Sequence, residues 1–170
     1  MQKWIIALAA TVLSLSIAAF ALHREHRVER SVDIAAPADV VWATLTDFTA
    51  YPEWNPFMQE LKGTPEVGQQ LTVQITPAKG SEMTFTPTVL AATPGSELRW
   101  LGRVFIPELL DGEHAFTLTL IPGGVRLTQS ETFSGVLVPF FGGAIDVGDD
   151  FDAMNQALRD RVESTDSIAR

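Results

Sequence analysis

Between residues 59 and 136 the sequence keeps to a single habit, with apolar residues at alternate positions and runs cut short by glycine and proline. Leu71, Val73 and Ile75 alternate with Gln70, Thr72, Gln74 and Thr76. Further runs follow at 82–93, 97–106, 115–121 and 125–136. Period-two runs bounded by turn residues read as strands, and strands that succeed one another without helices predict an antiparallel meander. Pro77 and Pro87 belong at strand edges or bulges, because proline has no N–H for a ladder. After Gly142-Gly143 the period changes. Ile145, Val147, Phe151, Met154, Leu158 and Val162 recur at helical spacing, with Asp149, Asp150 and Asp152 early and Arg159 and Arg161 late. That order of charge suits the dipole of a long terminal helix. A curved antiparallel sheet with one long helix to cover it is an α+β architecture, and the space between them can admit an apolar ligand.

The amino-terminal half opens differently. Residues 4–22 carry no charge and as a helix would span roughly 28 Å, one bilayer core. A single-pass membrane anchor over 1–22, followed by a domain over 23–170, is the expected organisation. The alternative is a signal peptide cleaved after Ala19-Phe20-Ala21, leaving a secreted or periplasmic domain, but the apolar run is longer than such segments usually are. Lys3 lies on one side of the run and Arg24, Arg27 and Arg30 on the other, so the charge bias chooses a side only weakly. In the domain proper, Val28, Val32 and Ile34 alternate with charged and polar residues as a strand. Pro37 then opens a helix predicted to reach about Asp47.

Residues 47–57, DFTAYPEWNPF, place Phe48, Tyr51, Trp54 and Phe57 around two prolines. Ordinary loops use glycine, serine and asparagine instead. Tyr51 and Asn55 each precede a proline, which predicts extended backbone at both and a stiff turn. The rings either plug one end of the domain or line a portal, with Trp54 and Asn55 touching ligand.

The period of two also fixes a register. If Ile121-Pro122-Gly123-Gly124 form a four-residue loop, Leu120 faces Val125, Leu118 faces Leu127, Phe116 faces Gln129 and His114 faces Glu131. All share one face, so His114, Gln129 and Glu131 become inward-facing polar groups on an apolar wall. Buried polar groups need partners, and a His114–Glu131 contact is expected. It is either a structural hydrogen bond or a candidate catalytic pair in which Glu131 orients His114 as a general base. Arg99 and Arg103 share one face of their strand, opposite Trp100, as solvated cations or as contacts to an anionic head group.

Composition removes several classes of function. The absence of cysteine excludes disulfides, thiolate nucleophiles and cysteine-based metal sites. A net charge of −9 with no basic stripe argues against nucleic acid as a partner. His23 and His26 lie far along the chain from His114, without metal-ligand spacing. The aspartates at 146–152 lack the glycine and terminal glutamate of a calcium loop. Gly142-Gly143 is not followed by the lysine of a phosphate loop. No metal and no cofactor is expected.

Three stretches, VERSVDIAAPADVVWATLTDFTAYPEWNPF, DGEHAFTLTLIPGGVRLTQSETFSGVLVPFF and FDAMNQALRDRVE, together resemble the SRPBCC superfamily, also called START-like or Bet v 1-like, in its polyketide cyclase/dehydrase and lipid transport branch. The resemblance covers about residues 27–165. It implies the helix-grip fold, a curved sheet wrapped around the C-terminal helix, and a cavity for a hydrophobic small molecule that is lipid-like or polyketide-like. Phe116, Leu118, Leu127 and Phe133 from the sheet and Phe151, Met154 and Leu158 from the helix are then the expected lining, with Gln129 among them. A cyclase or dehydratase using His114 and Glu131, and a protein-interaction domain like the activators of a chaperone ATPase, are the alternatives. Oligomeric state is not legible.

Overall fold

The computed structural model describes residues 22–104 and 106–169, together with Trp4 and Thr11. The expected anchor at 4–22 therefore lies outside the described residues apart from Trp4, Thr11 and Leu22. Among the described residues no helix is long and apolar enough to cross a membrane. The chain runs through β1 (Arg24–Ile34), α1 (Ala38–Thr46), a 3-10 turn (Phe48–Ala50), α2 (Tyr51–Trp54), β2 (Met58–Lys62), β3 (Thr72–Ile75), β4 (Met83–Phe85), β5 (Thr88–Thr93), β6 (Glu97–Arg103), β7 (Asp111–Ile121) and β8 (Gly124–Gly135). It ends with α3 (Val138–Phe141), a 3-10 turn (Gly142–Ile145) and the long α4 (Gly148–Ala169).

Five strands pair in the order β1-β8-β7-β6-β5, and β2-β3-β4 form a second, smaller sheet. Both Leu71 N, donating to Pro87 O, and Val89 N, donating to Gln69 O, stitch the smaller sheet onto the β5 edge at 2.9 Å each. Pro87 separates β4 from β5, where its missing N–H breaks no ladder. The β7–β8 register places Leu120 opposite Val125, Leu118 opposite Leu127, Phe116 opposite Gln129 and His114 opposite Glu131, as the alternation requires. β1 pairs with β8 along its whole length, Arg24 with Gly135 and Ile34 with Val125. The first strand thus closes the sheet beside the last.

Helix α4 lies across the inner surface with Phe151, Met154, Leu158 and Val162 buried beneath it. Burying each such side chain contributes about 1.5–3 kcal/mol, whereas an exposed ion pair contributes about 0–1 kcal/mol. The apolar stripe therefore holds the helix down, and polar contacts on its flanks set its position. Arg30 Nε donates to Asp152 Oδ2 at 2.9 Å, and its guanidinium occupies the space that a Cβ at Gly148 would need. Glu163 Oε1 accepts from Ala35 N at 2.9 Å, and Asp150 Oδ1 accepts from Ala78 N at 2.8 Å.

The aromatic turn closes one end of this core. Tyr51 packs edge-on to Phe48 and Trp54, with ring centroids 5.7 and 5.0 Å away, and Phe57 meets Phe151 of α4 at 5.9 Å. Asn55 is extended, as expected before Pro56, but Tyr51 is helical (φ −53°, ψ −44°), contrary to the sequence expectation. Pro52 falls in the first turn of α2, where its missing N–H costs no hydrogen bond. Burial of the Tyr51 ring then outweighs the steric bias of the residue before proline.

Tyr51 Oη donates to Leu45 O at 2.7 Å, and burial pushes the phenol above its ordinary value. The folded chain therefore keeps a proton that the unfolded chain loses above about pH 10, and folding stability declines as pH climbs past that point. Tyr51 is the one tyrosine of the chain, so ultraviolet tyrosinate absorbance reports it alone. The signal is expected to stay absent while circular dichroism reports a folded protein and to rise together with unfolding. A gradual rise near pH 10 in the folded state would place the phenol in water.

Candidate functional site

The two-residue period that sets the β7–β8 register also turns His114 and Glu131 toward the helix. Neither could leave this face without moving Phe116, Leu118 and Leu127 into solvent. His114 Nδ1 lies 2.6 Å from Glu131 Oε2, with His114 buried and Glu131 nearly so. An ionised carboxylate only accepts, so Nδ1 carries the hydrogen and donates it. Gln129 Nε2, 3.2 Å from His114 Nε2, donates to the lone pair left on that nitrogen, and it also approaches Met154 Sδ at 3.5 Å. A polar chain Glu131–His114–Gln129 thus crosses the inner wall and ends at a methionine of α4.

Rings enclose the imidazole. Trp100 of β6 stacks on it with an interplanar angle of 10° and centroids 5.0 Å apart, while Phe116 and Phe151 approach at 4.7 and 5.2 Å. Glycine at 112 makes room for the carboxylate, since a Cβ there would sit 2.5 Å from Glu131 Oε1. Two amides nearby are incompletely used: Gln129 Oε1 and both polar atoms of Asn155 on α4 are buried without a hydrogen-bond partner. Each such atom costs about 1–3 kcal/mol, so the site is poorer in stability than an apolar core would be.

The residues expected to line a cavity do converge between sheet and helix. Phe116, Leu127, Gln129, Phe151, Met154 and Leu158 are 0–1% exposed, which leaves no water-sized space against any of them. Leu118 is buried as well, and Phe133 is half-buried where the main core meets a smaller cluster of Leu110, Val138 and Ile145. The open space expected beneath the helix is filled at these positions by the side chains themselves. Period and spacing report which way residues point but not whether their volumes fill the gap. Trp54 and Asn55 lie apart from the polar chain in the aromatic turn. Asn55 Oδ1 accepts from Phe57 N and Met58 N at 2.9 and 2.8 Å, and Trp54 Nε1 is buried without a partner. Arg99 is engaged by Glu97 and Glu113, and Arg103 by Asp111.

Sequence reasoning missed three contributors. Trp100 was legible as the inward alternate of Arg99, but its stacking needs the β6–β7 register that sets it opposite His114. Asn155 carried a signal as a polar residue between Met154 and Leu158 on the apolar stripe. Gly112 carried none, because the atom it makes room for belongs to another strand. Among the described residues no group of histidine, aspartate and glutamate side chains is arranged to hold a metal ion.

The sequence pattern of one family, described as polyketide cyclase / dehydrase and lipid transport, matches residues 25–163. No curated protein matches the sequence. A structure from Mesorhizobium loti is 27% identical, with 81% of this chain and 98% of that one covered and a TM-score of 0.56. The di-domain ARO/CYC StfQ from the steffimycin biosynthetic pathway is 14% identical at a TM-score of 0.66, with 84% of this chain and 52% of that one covered. Norcoclaurine synthase from Thalictrum flavum, in complex with dopamine and hydroxybenzaldehyde, is 12% identical at a TM-score of 0.64, with 85% of this chain and 90% of that one covered. The latter two share the helix-grip architecture at identities that speak for fold alone.

The clearance at Gly112 gives a direct check of the polar chain. Gly112→Ala is expected to push the Glu131 carboxylate off His114, to move the imidazole nitrogen resonances as Glu131→Gln does, and to cost about 1–3 kcal/mol in denaturant unfolding. Wild-type imidazole resonances in Gly112→Ala would contradict the contact.

Proposed function

The chain belongs to the polyketide cyclase / dehydrase and lipid transport family; we propose from that membership that its domain binds a hydrophobic small molecule between the sheet and α4, and from the uncharged run at 4–22 that it is tethered to a membrane. The observation that carries this reading is the buried polar chain Glu131–His114–Gln129, which ends in the unpartnered Gln129 Oε1 on an apolar wall. A purely structural core gains nothing from such a group and pays for its desolvation. A ligand with an apolar body and one hydroxyl or carboxyl group would supply the missing donor. Norcoclaurine synthase, which shares the fold, is in complex with dopamine and hydroxybenzaldehyde, and this supports small-molecule binding by such an architecture.

Binding has to open the packed interface, and Met154 is suited to that. Its unbranched thioether changes rotamer at little cost and already touches Gln129. A ligand displacing Met154 meets Gln129 first and His114 behind it, so polar recognition precedes any chemistry. The second reading, proton transfer by His114 oriented by Glu131, is favoured by their 2.6 Å contact. It requires the ligand to take the place of Gln129 at Nε2.

A fluorescent fatty acid titrated into the full-length chain tests binding. Gln129→Leu, which keeps the volume and removes the amide, is expected to weaken uptake about ten-fold, equivalent to about 1.4 kcal/mol, with melting temperature nearly unchanged. Failure of the wild-type chain to take up fatty acids, fatty alcohols or aromatic phenols would sink the reading. Equal uptake by Gln129→Leu would remove the amide from it.

A further inference from the structure

Most exposed apolar residues on a protein stand singly and mean nothing, as Leu120 does at the β7–β8 end of the sheet with 79% of its surface open. At the opposite end they are grouped. Ile106 and Phe140 are 62% and 70% exposed, and Val104 and Phe141 in the same two segments are exposed as well. The two segments that carry these residues are fastened together. Val136 N donates to Glu108 O at 3.1 Å, Leu137 N to Leu109 O at 3.0 Å, and Val104 N to Leu110 O at 2.9 Å. Leu110, Val138 and Ile145 form a small core of their own behind them, with Phe133 joining it to the main one. The apolar rim is thus a backed surface, and grouped exposure of this kind marks an interaction site.

The position of the start of β1 identifies the occupant. Arg24, the first residue of β1, pairs with Gly135. A Cβ on Gly135 would fall within 2.7 Å of the carbonyl oxygens of Leu109 and Glu108, so the start of β1 and the rim lie at one end of the sheet. The uncharged run 4–22 ends two residues before Arg24, at most about 7 Å of chain. A bilayer entered by that run is therefore brought against the end of the domain that carries Ile106 and Phe140. No comparable constraint delivers a second protein there.

We propose that the rim formed by the β6–β7 connection and α3 docks into the lipid surface entered by residues 4–22, so that the grip opens toward the bilayer. The inference rests on the tether of the preceding reading. Aromatic and branched apolar side chains partition into the interfacial zone of a bilayer, and the covalent tether removes most of the entropic cost of bringing a small patch to it. Phe133 and then Glu131 are the inward-facing side chains of β8 nearest this end, opposite Gly112 and His114. An amphiphile leaving the membrane would meet the polar chain without crossing water.

The chain has no cysteine, so single cysteines can be placed and labelled without background. Full-length Ile106→Cys, Phe140→Cys and Leu120→Cys, each carrying the fluorophore NBD, are reconstituted with phosphatidylcholine vesicles with and without a spin-labelled lipid as quencher. Zwitterionic lipid avoids repulsion of a domain whose formal charge is strongly negative. Most of the emission at 106 and 140 is expected to be lost to the quencher, with none lost at 120. If the protein floats with vesicles but 106 and 140 stay unquenched, docking is overturned and the tether stands. Failure to float overturns both. Emission at 106 and 140 that is blue-shifted but unquenched would mean that protein, such as a second copy, covers the rim. Equal quenching at 120 would mean that the domain lies flat on the surface. Either result overturns the proposal.

Discussion

The seam between α4 and the sheet is the constraint on which the other features depend. Phe151, Met154, Leu158 and Val162 are there because a sheet with one polar and one apolar face must cover the latter, and one helix is available to do it. Covering the sheet also excludes water from His114 and Glu131. A hydrogen bond is electrostatically stronger in the low dielectric of a protein interior than in water, so the same contact on the solvent side would count for little. The polar chain is therefore a consequence of the seam and not an independent support for it. Remove the helix and the imidazole loses both its ring neighbour Phe151 and its dry surroundings.

Polar groups inside this seam weaken it. An all-apolar inner wall of the same shape would be at least as stable, since replacing both partners of a buried hydrogen bond by apolar groups can be nearly neutral or stabilising. Gln129 and Asn155 add further cost through their unused atoms. On the proposed binding role, hydrogen-bond geometry would specify which part of a guest faces Gln129, which a greasy wall alone cannot do. Glycine at 112 fits this view, since it contributes no packing and serves to admit a carboxylate oxygen.

How much of this was readable from residues alone depended on how local each cause was. The register of β7 and β8 follows from a short loop and a period of two, so the facing of His114 and Glu131 was legible before any coordinates. The helical spacing of Phe151, Met154 and Leu158 was equally so. Tyr51 misled because a rule about the residue before proline competes with the burial of a ring, and only the second depends on the fold. The space under the helix misled for a related reason: filling is a sum of volumes from several elements, and no window of sequence contains it. The stacking of Trp100 and the clearance at Gly112 arise between strands and leave no trace in either strand alone.

The pairing of β1 with β8 has a consequence for how the molecule is made. Arg24 and Gly135 are neighbours in the finished sheet but stand more than a hundred positions apart in the chain. During synthesis the first strand emerges with its hydrogen-bonding edge unsatisfied and must wait until β8 has left the ribosome. Closure over so long a loop is slow, and an idle β edge invites pairing with another nascent chain. The charged residues interleaved along β1, among them Glu25, Arg27, Glu29 and Asp33, suit that interval, because they keep a lone strand in water until its partner arrives.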